Sequence, residues 1–307
     1  MDMYQKRKMR KEKREQNEEQ NQNGTRTCIS WYPGHMAKTK RLIKEKYNLI
    51  DVVYELVDAR IPKSSKISDI ESLINNKPRV LIMTKYDLCD KEETGKWIEY
   101  YESKGYIVYP CNLNDVNATK NLVKITENMI SGIQENRALK GLKEKEIRAL
   151  VIGIPNVGKS TLINKMAKRQ AVNTGNTPGL TKALSFIKTD SNILLLDTPG
   201  ILWPKFDNDE IGLNLASMTA IKSEILPIDD VAVHILKTMY KYYPEMLAER
   251  YNLHEVDEDF IEVYETIGKR FGALISGGEV DYDRVSGIVL NDIKNEYIKN
   301  ITFDRRD

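Results

Sequence analysis

The stretch RALVIGIPNVGKSTLINKMAK, residues 148–168, decides the fold of this 307-residue chain. Its first half is an apolar run typical of a buried strand, and its second half has the spacing of a helix. Between them, Gly153 to Ser160 match the pattern G-x-x-x-x-G-K-[ST], which needs this strand, loop and helix context. Such a loop directs backbone N–H groups, a helix N-terminus and a lysine at a phosphate. An accidental glycine-rich loop explains the combined pattern much less well.

Four further apolar runs surround this stretch, and β-branched residues are frequent in them. Each run is nearly continuous in apolar character, as expected for strands buried on both faces of a parallel sheet. Helical patterns lie between the runs, which predicts an α/β architecture with a mostly parallel sheet. The runs span residues 49–60, 79–87, 106–112 and 192–200, and the helical patterns span 64–76, 91–104, 118–138 and 160–168.

The pattern changes after residue 203, where strand-like runs disappear. Apolar residues then recur at helical spacing, as at Val231, Ile235 and Met239. The sequence therefore predicts three segments: a flexible charged arm at 1–27, the α/β domain at 28–204, and a smaller all-helical domain at 205–307.

Composition narrows the class of protein. The chain has no apolar run of about 18 residues and no apolar signal segment, so we expect a cytoplasmic protein that does not bind membranes. Its three cysteines are scattered, which argues against a disulfide framework. The net charge of +2 conceals a basic arm, since residues 1–14 hold seven basic and two acidic residues. This arm either contacts nucleic-acid phosphates or is a solvated, tag-like extension.

The tetrapeptide TKYD, residues 84–87, ends the second apolar run and has the form [NT]-K-x-D. Asp87 can accept hydrogen bonds from N1–H and the N2 amino group of guanine, and adenine lacks this donor pair. Lys85 would lay its aliphatic stem against the ring, and Thr84 would brace the neighbouring loop. Many GTPases have asparagine where this chain has Thr84, so one contact is expected to be weaker.

The order of these motifs is unusual, because TKYD comes about seventy residues before Lys159. In a typical GTPase the base-recognition strand follows both the phosphate loop and the D-x-x-G strand. The sequence therefore predicts a circularly permuted domain, with the same sheet connected in a different order. Asn112 and Leu113, after the next run, are the expected second base-contacting loop, although the usual Ser-Ala pair is missing.

Oxygen-bearing side chains near the phosphate motif predict a magnesium site. Ser160 is placed to ligate Mg²⁺, and Asp197 can hold the ion through its water shell. Thr181 offers a hydroxyl that would complete the metal shell, and the Gly200 amide can contact the γ-phosphate.

Four stretches resemble the ribosome biogenesis GTPase A family, a YlqF-type group of circularly permuted GTPases. They are WYPGHMAKTKR (31–41), ELVDARIP (55–62), GIPNVGKSTLIN (153–164) and LLDTPGILWPKF (195–206), and the resemblance runs from about Ser30 to about Asp292. It implies a GTP hydrolase of late large-subunit (50S) assembly with a helical C-terminal domain that binds rRNA. It also implies a precursor particle as the partner that stimulates hydrolysis. We expect a monomer.

The resemblance further implies a set of contacts to GTP or GDP, carried over position by position. They are Thr84, Lys85, Tyr86, Asp87, Asn112, Leu113, Asn156, Val157, Gly158, Lys159, Ser160, Thr161 and Gly200. Related GTPases with asparagine at the place of Asn156 often use potassium, so a K⁺ site there is a hypothesis.

The sequence lacks the usual partner of the catalytic water. Many GTPases orient this water with a glutamine directly after D-x-x-G, but this chain has Ile201, whose side chain cannot hydrogen-bond. In the resembled family the histidine of W-x-P-G-H-M is proposed as the substitute, and His35 is the matching residue. A neutral imidazole can accept a hydrogen bond from the water. The alternative is that His35 caps a helix or bonds a nearby carbonyl.

Two other functions fit parts of the sequence. One is an RNA-binding placeholder whose affinity is set by GTP and whose hydrolysis is incidental. The other is a metabolic ATPase or kinase, which is disfavoured by Asp87 and by the lack of a recognisable small-substrate site.

Overall fold

The centre of the molecule is a six-stranded sheet. The structure is a computed structural model that describes residues 34–67, 74, 77–172, 185–198, 209–221, 226–253 and 260–306. The strands are β1 (Val52–Asp58), β2 (Arg79–Thr84), β3 (Ile107–Pro110), β4 (Ile147–Gly153), β5 (Ser185–Lys188) and β6 (Ile193–Asp197). Their order in the sheet is β3-β2-β1-β4-β6-β5.

Most of the sheet is parallel, as the apolar runs predict. Among the described strands, β5 alone runs antiparallel to its neighbour, β6. In β1 all seven residues are buried, because the strand lies between β2 and β4 and both of its faces are covered. Strand β5 was not predicted, since it is a four-residue edge strand without an apolar run of its own. The strand that carries TKYD, β2, precedes β4 in the chain, so the connections are permuted.

Helices cover the sheet and form the second half of the chain. The helices are α1 (Gly34–Lys46), α2 (Lys91–Ser103), α3 (Ala118–Leu139), α4 (Lys159–Ala167), α5 (Asp209–Ser217), α6 (Ile228–Tyr242), α7 (Pro244–Tyr251), α8 (Phe260–Phe271) and α9 (Tyr282–Lys294), and a 3₁₀ turn spans Tyr47–Leu49. Within the described ranges, no helix is long and apolar enough to cross a membrane.

Three predicted helices are found within one residue of their expected bounds, as α2, α3 and α4. The fourth prediction, a helix over 64–76, is wrong at its start. Residues 64 and 65 form a turn, in which the Ser65 N–H donates to the Ile61 carbonyl and the Ser64 N–H donates to the Asp304 carboxylate. A distant carboxylate thus takes a backbone donor of this segment. Residues 68–73 and 75–76 lie outside the described part.

The described residues after β6 are helical apart from short connections, one isolated bridge between Leu274 and Val280, and the non-helical residues 295–306. The predicted apolar stripe of α6 is buried at Val231, Ile235 and Met239. Helix α6 packs against α9, and α7 is tied to α9 by a forked ion pair. In that pair Arg250 donates to the two carboxylate oxygens of Asp292 at 2.9 and 2.6 Å.

After α9 the chain returns to the sheet. We call residues 298–306 the return segment, and its Ile298, Ile301 and Phe303 are buried. The Phe303 N–H donates to the carbonyl of Arg60 at 2.8 Å, two residues beyond the end of β1. The return segment follows α9 in sequence. It nevertheless contacts a loop at the carboxyl ends of the strands.

Candidate nucleotide-binding site

Four neighbouring parallel strands end at one edge of the sheet, and each ends in a residue of interest. Asp58 ends β1, Thr84 ends β2, Gly153 ends β4 and Asp197 ends β6. These strands are consecutive in the sheet, so their carboxyl ends form one continuous edge. Ligands of open α/β sheets bind outside this edge. The fold therefore brings the phosphate motif and TKYD together, although they are distant in sequence.

The phosphate loop, residues 153–158, makes a tight connection between β4 and α4. At Gly153 a Cβ atom would lie 2.8 Å from the Leu56 carbonyl oxygen, so a side chain does not fit there. At Gly158 φ is +103°, and a Cβ atom would lie 3.0 Å from Leu113 Cδ1. Both backbone conformation and space therefore require glycine at this point. Helix α4 begins at the next residue, so its N-terminus adjoins the loop.

The ammonium group of Lys159 lies inside the phosphate loop. Its Nζ donates to the carbonyl oxygens of Gly153 and Ile154 at 3.0 and 2.7 Å. Burial lowers the pKa of Lys159 to about 8, and the charge of Asp197 opposes this shift only in part. A buried cation held by neutral carbonyls gains strongly from an anion placed beside it. Phosphate oxygens are such an anion.

Donors for a magnesium ion lie beside Lys159. Asp197 is buried, and the following residue, Thr198, donates its hydroxyl to the Val151 carbonyl at 2.7 Å, which ties the end of β6 to β4. Ser160 is half-buried at the start of α4. Within the described part of the chain, no group of three or more His, Cys, Asp or Glu side chains is arranged to hold a metal. One hydroxyl and one carboxylate fit an ion that takes its other ligands from phosphates and water, as Mg²⁺ does.

The base loop, residues 84–88, is joined to the phosphate loop by a side chain. Thr84 Oγ1 donates to the Val157 carbonyl at 2.7 Å, and this is the bracing contact that the sequence predicts. Lys85 has a left-handed backbone with φ of 56°, which turns the chain sharply at the end of β2. Asp87 is exposed, so its carboxylate is accessible to a base. The two loops therefore form one hydrogen-bonded unit.

Sequence reasoning missed the carboxylate that holds the base loop from inside. Asp58 is buried, and its Oδ2 accepts from Lys85 Nζ at 2.8 Å. Arg60 donates to both oxygens of the same carboxylate, from Nε at 3.0 Å and from Nη2 at 2.8 Å. Burial alone would raise the pKa of Asp58, but the Arg60 and Lys85 cations outweigh it and hold that pKa well below its usual range. The signal was present in VDAR, an acid and a base at the end of a buried strand.

The predicted second base-contacting loop lies next to the first. The Tyr86 N–H donates to the Cys111 carbonyl at 3.4 Å, and the Asn112 side-chain oxygen accepts from the Asn114 N–H at 2.8 Å. Leu113 is buried and packs beside Gly158. The half-buried Asn112 therefore lies between Cys111, which is bonded to the base loop, and Leu113, which packs beside the phosphate loop, in the order of the chain.

Asn156 connects the phosphate loop to the helical half of the molecule. Its Nδ2 donates to the Thr219 carbonyl at 2.6 Å, and both residues have left-handed backbones, with φ of 59° and 58°. Thr219 lies two residues after the end of α5 and precedes the segment that leads to α6. No pattern in the sequence indicated this contact, because it joins residues 63 positions apart.

Three predicted site residues fall outside the described atoms. Thr181 and Gly200 lie in undescribed segments, 173–184 and 199–208. His35 lies in the first turn of α1, and its side chain is outside the described part of the chain. Ser160, Thr161 and Val157 lie at the junction of the phosphate loop with α4, as the motif requires.

Comparison with known proteins shows that the chain belongs to a class of GTPases. Residues 148–271 match the family model described as 50S ribosome-binding GTPase. The fold resembles that of the protein in the crystal structure of GNP-bound YlqF from T. maritima, with a TM-score of 0.60 at 23% sequence identity, covering 87% of this chain and 98% of that one. The predicted circularly permuted GTPase fold, with a mostly parallel sheet and a helical C-terminal region, is confirmed.

Curated relatives then show the family. Ribosome biogenesis GTPase A of Bacillus cereus is 46% identical over 90% of this chain and 93% of its own length. The protein of the same name from Priestia megaterium is 45% identical over 90% and 96%. Mitochondrial ribosome-associated GTPase 1 of Bos taurus is 31% identical over 79% and 75%. The chain belongs to the ribosome biogenesis GTPase A family.

Proposed function

We propose that this GTPase of ribosome assembly acts late in the formation of the large (50S) subunit. It binds a precursor particle through rRNA and hydrolyses GTP when that particle stimulates it. The observation that supports the proposal is the junction of the base loop with the phosphate loop through Thr84 at one sheet edge. The match to the 50S ribosome-binding GTPase model and the names of the relatives support the assembly role. We further propose that the protein is a monomer in the cytoplasm.

In this proposal the two loops bind the two ends of the nucleotide. Asp87 accepts hydrogen bonds from the N1–H and N2 amino groups of guanine, and the Lys85 stem covers the ring. Lys159 exchanges its two carbonyl partners for β- and γ-phosphate oxygens. These anionic oxygens stabilise its buried charge more strongly than neutral carbonyls do. The full proposed set is Thr84, Lys85, Tyr86, Asp87, Asn112, Leu113, Asn156, Val157, Gly158, Lys159, Ser160, Thr161 and Gly200.

Two ions are proposed to assist the phosphates. The hydroxyls of Ser160 and Thr181 would hold Mg²⁺ directly and Asp197 would hold it through water, and the bound ion offsets the charge that develops on the phosphates. The side-chain oxygen of Asn156 would take part in holding K⁺. Equal hydrolysis rates in potassium and sodium salts would exclude the second ion.

His35 is proposed as the residue that orients the attacking water, in place of the glutamine that Ile201 replaces. We expect His35→Ala to retain GTP affinity and to lose most of the particle-stimulated turnover, because only the transition state uses the contact. Phosphate release with and without particles measures this loss. Lys44→Ala, an exposed change on the same helix, is the control. Undiminished stimulated turnover in the His35 variant would exclude a catalytic role.

The central experiment is GTP turnover in the presence of purified large-subunit particles, both mature and precursor. We expect stimulation of about tenfold or more by at least one of them, since supplying charge and positioning in trans accelerates GTPases strongly. If neither particle stimulates turnover, the proposed assembly role is wrong.

A second function is favoured by the contact between Asn156 and Thr219. Because the phosphate loop bonds directly to the segment before α6, the bound nucleotide can change the position of the helical region. The chain would then be an RNA-binding placeholder that GTP switches without hydrolysis. Release from the particle by a non-hydrolysable GTP analogue would support this function over the first.

A further inference from the structure

The return segment contacts the base loop through backbone hydrogen bonds. The N–H groups of Asn300 and Ile301 both donate to the carbonyl of Leu88, at 2.8 and 3.2 Å. Leu88 directly follows Asp87, the proposed guanine acceptor, and its own N–H donates to the Lys85 carbonyl at 2.9 Å. The turn that presents Asp87 is therefore held from outside by the return segment.

Thr302 holds the next part of the same loop. Its Oγ1 accepts from the Asp90 N–H at 3.2 Å and lies 2.8 Å from Thr94 Oγ1. Its N–H donates to the Tyr243 hydroxyl at 2.9 Å, and that hydroxyl donates to Asp90 Oδ2 at 3.0 Å. Asp90 also caps α2. The start of α2, which directly follows the base loop and Cys89, is thus held by Thr302 of the return segment and by Tyr243, which lies between α6 and α7.

Asp304 holds the loop that follows β1. Its Oδ2 accepts from the N–H groups of Lys63 and Ser64, each at 2.7 Å. Its Oδ1 accepts from Ser64 Oγ at 2.5 Å and from Asn214 Nδ2 at 3.0 Å. The carboxylate is buried, so each of these donors matters to it. Asn214 also bonds His234, which links this loop to α6.

The two loops held by the return segment meet at one carboxylate. Arg60 reaches Asp58 from the loop after β1, and Lys85 reaches it from the base loop. A shift of either loop would therefore disturb the position of Lys85. The hydrophobic burial of Ile301 and Phe303 explains why the return segment adheres to the protein. It does not explain why its polar contacts are directed at the carbonyl of Leu88, the amide of Asp90 and the loop after Arg60.

We propose that the return segment positions the base loop, and that Thr302 and Asp304 are positioning residues for guanine selectivity. The inference rests on the proposed function, because it takes the base loop as the site of guanine recognition. The segment comes after the helical region in sequence, so it also makes the geometry of the base site depend on the helices that precede it. If the helical region moved when a partner binds, this contact would transmit the movement to the base loop.

The test compares GDP with inosine diphosphate (IDP), which lacks the 2-amino group that Asp87 is proposed to bind. Displacement of a fluorescent GDP analogue from the full chain gives both affinities, and their ratio reports the placement of Asp87. We expect Asp304→Asn and Thr302→Val each to lower the GDP-over-IDP ratio by about three- to tenfold, because one or two buried hydrogen bonds are lost. Affinity for IDP, which depends mainly on the phosphate loop, should change less.

Matched controls separate positioning from general loss of stability. Asp292→Asn removes one of the two carboxylate oxygens that accept from Arg250 in the helical region. This variant should have a lower melting temperature and an unchanged GDP-over-IDP ratio. Thr302→Ser keeps the hydroxyl and should restore the ratio that Thr302→Val loses. If Asp304→Asn does not fold, the Thr302 pair decides the question.

The outcomes distinguish this inference from the proposed function. A wild-type ratio in Thr302→Val and in folded Asp304→Asn, with lowered melting temperatures, would overturn the positioning role and leave GTP hydrolysis untouched. A wild-type protein that does not prefer GDP to IDP would contradict the proposed base recognition, and this inference with it. A ratio lowered equally by Asp292→Asn would reduce the effect to stability alone and overturn the inference.

Discussion

Two lysines at the carboxyl edge of the sheet have opposite kinds of partner. Lys159, the first residue after the phosphate loop, donates to two neutral carbonyls, whereas Lys85, in the base loop, donates to the buried carboxylate of Asp58. Burial lowers the pKa of both, and a carboxylate opposes the shift in each: Asp197 acts on Lys159 through its charge, whereas Asp58 acts on Lys85 through its charge and a hydrogen bond. Lys159 is therefore prepared to exchange its partners for a ligand. Lys85 belongs to an internal ion network that shapes its loop.

Removing the two lysines should separate affinity from stability, with the largest effect at Lys159. We expect Lys159→Ala to weaken GDP binding by about 10- to 100-fold, since charge-assisted contacts to phosphate are lost. Its melting temperature should be unchanged or higher, because a buried cation with neutral partners is removed. Lys85→Ala should lower the melting temperature instead, since Asp58 and Arg60 lose their neighbour. Calorimetry measures both quantities, and equal melting losses in the two variants would contradict the comparison.

The ion network predicts the next largest effect, on unfolding free energy. Asp58→Asn leaves the buried Arg60 and the half-buried Lys85 without their anion, and we expect a loss of about 3–5 kcal/mol of unfolding free energy in urea denaturation. Because the pKa of Asp58 is held below its usual range, its contribution is present above about pH 4 and lost as the pH falls further. The variant should lack this part of the acid dependence. Adding Lys85→Met should recover part of the loss, and no recovery would argue against direct coupling.

A pH profile sharpens the comparison without changing Lys85. With a pKa of about 8, Lys159 must take up a proton to bind phosphates once the pH exceeds that value. GDP affinity should therefore fall by up to about tenfold per unit as the pH rises from 8 to 9, with little change below 8. Lys159→Arg, whose side chain stays charged, should flatten the profile. A wild-type profile that is already flat over this interval would contradict the shifted pKa.

The smallest effect is expected where the two loops touch. Thr84→Val removes the hydroxyl that reaches the Val157 carbonyl, and we expect a loss of about 1 kcal/mol of stability and a few-fold loss in GDP affinity. Thr84→Ser keeps the hydroxyl and serves as the control. If valine is tolerated in both measurements, the loops are held together by packing rather than by this bond.

The sequence predicted those parts of the site that are built from residues close together in the chain. The phosphate loop and TKYD were recognisable because the residues of each motif are close in sequence and each type has a chemical reason to be there. Their meeting at one edge followed from the parallel sheet, since strand order places the carboxyl ends together. The bracing role of Thr84 was also expected, because it required only that neighbouring loops touch.

The remainder depends on contacts between distant segments. Nothing local marks Asp304 as the partner of Ser64, which lies 240 positions away, and the turn after β1 was therefore assigned to a helix. Asp58 was visible as part of VDAR, yet its two cations became evident only when Lys85 was placed beside it. Strand β5 was missed because an edge strand of four residues carries little periodicity.

The return segment has a consequence for the order in which the protein is made. Synthesis produces β1, the base loop and the phosphate loop early, and produces residues 298–306 after every other described element. Domains fold as units while the chain emerges, so the sheet can form before the segment exists. The base loop would then reach its final shape only after the helical region has been translated. On the proposed positioning role, the protein would acquire its full selectivity for guanine nucleotides only after residues 298–306 have been made.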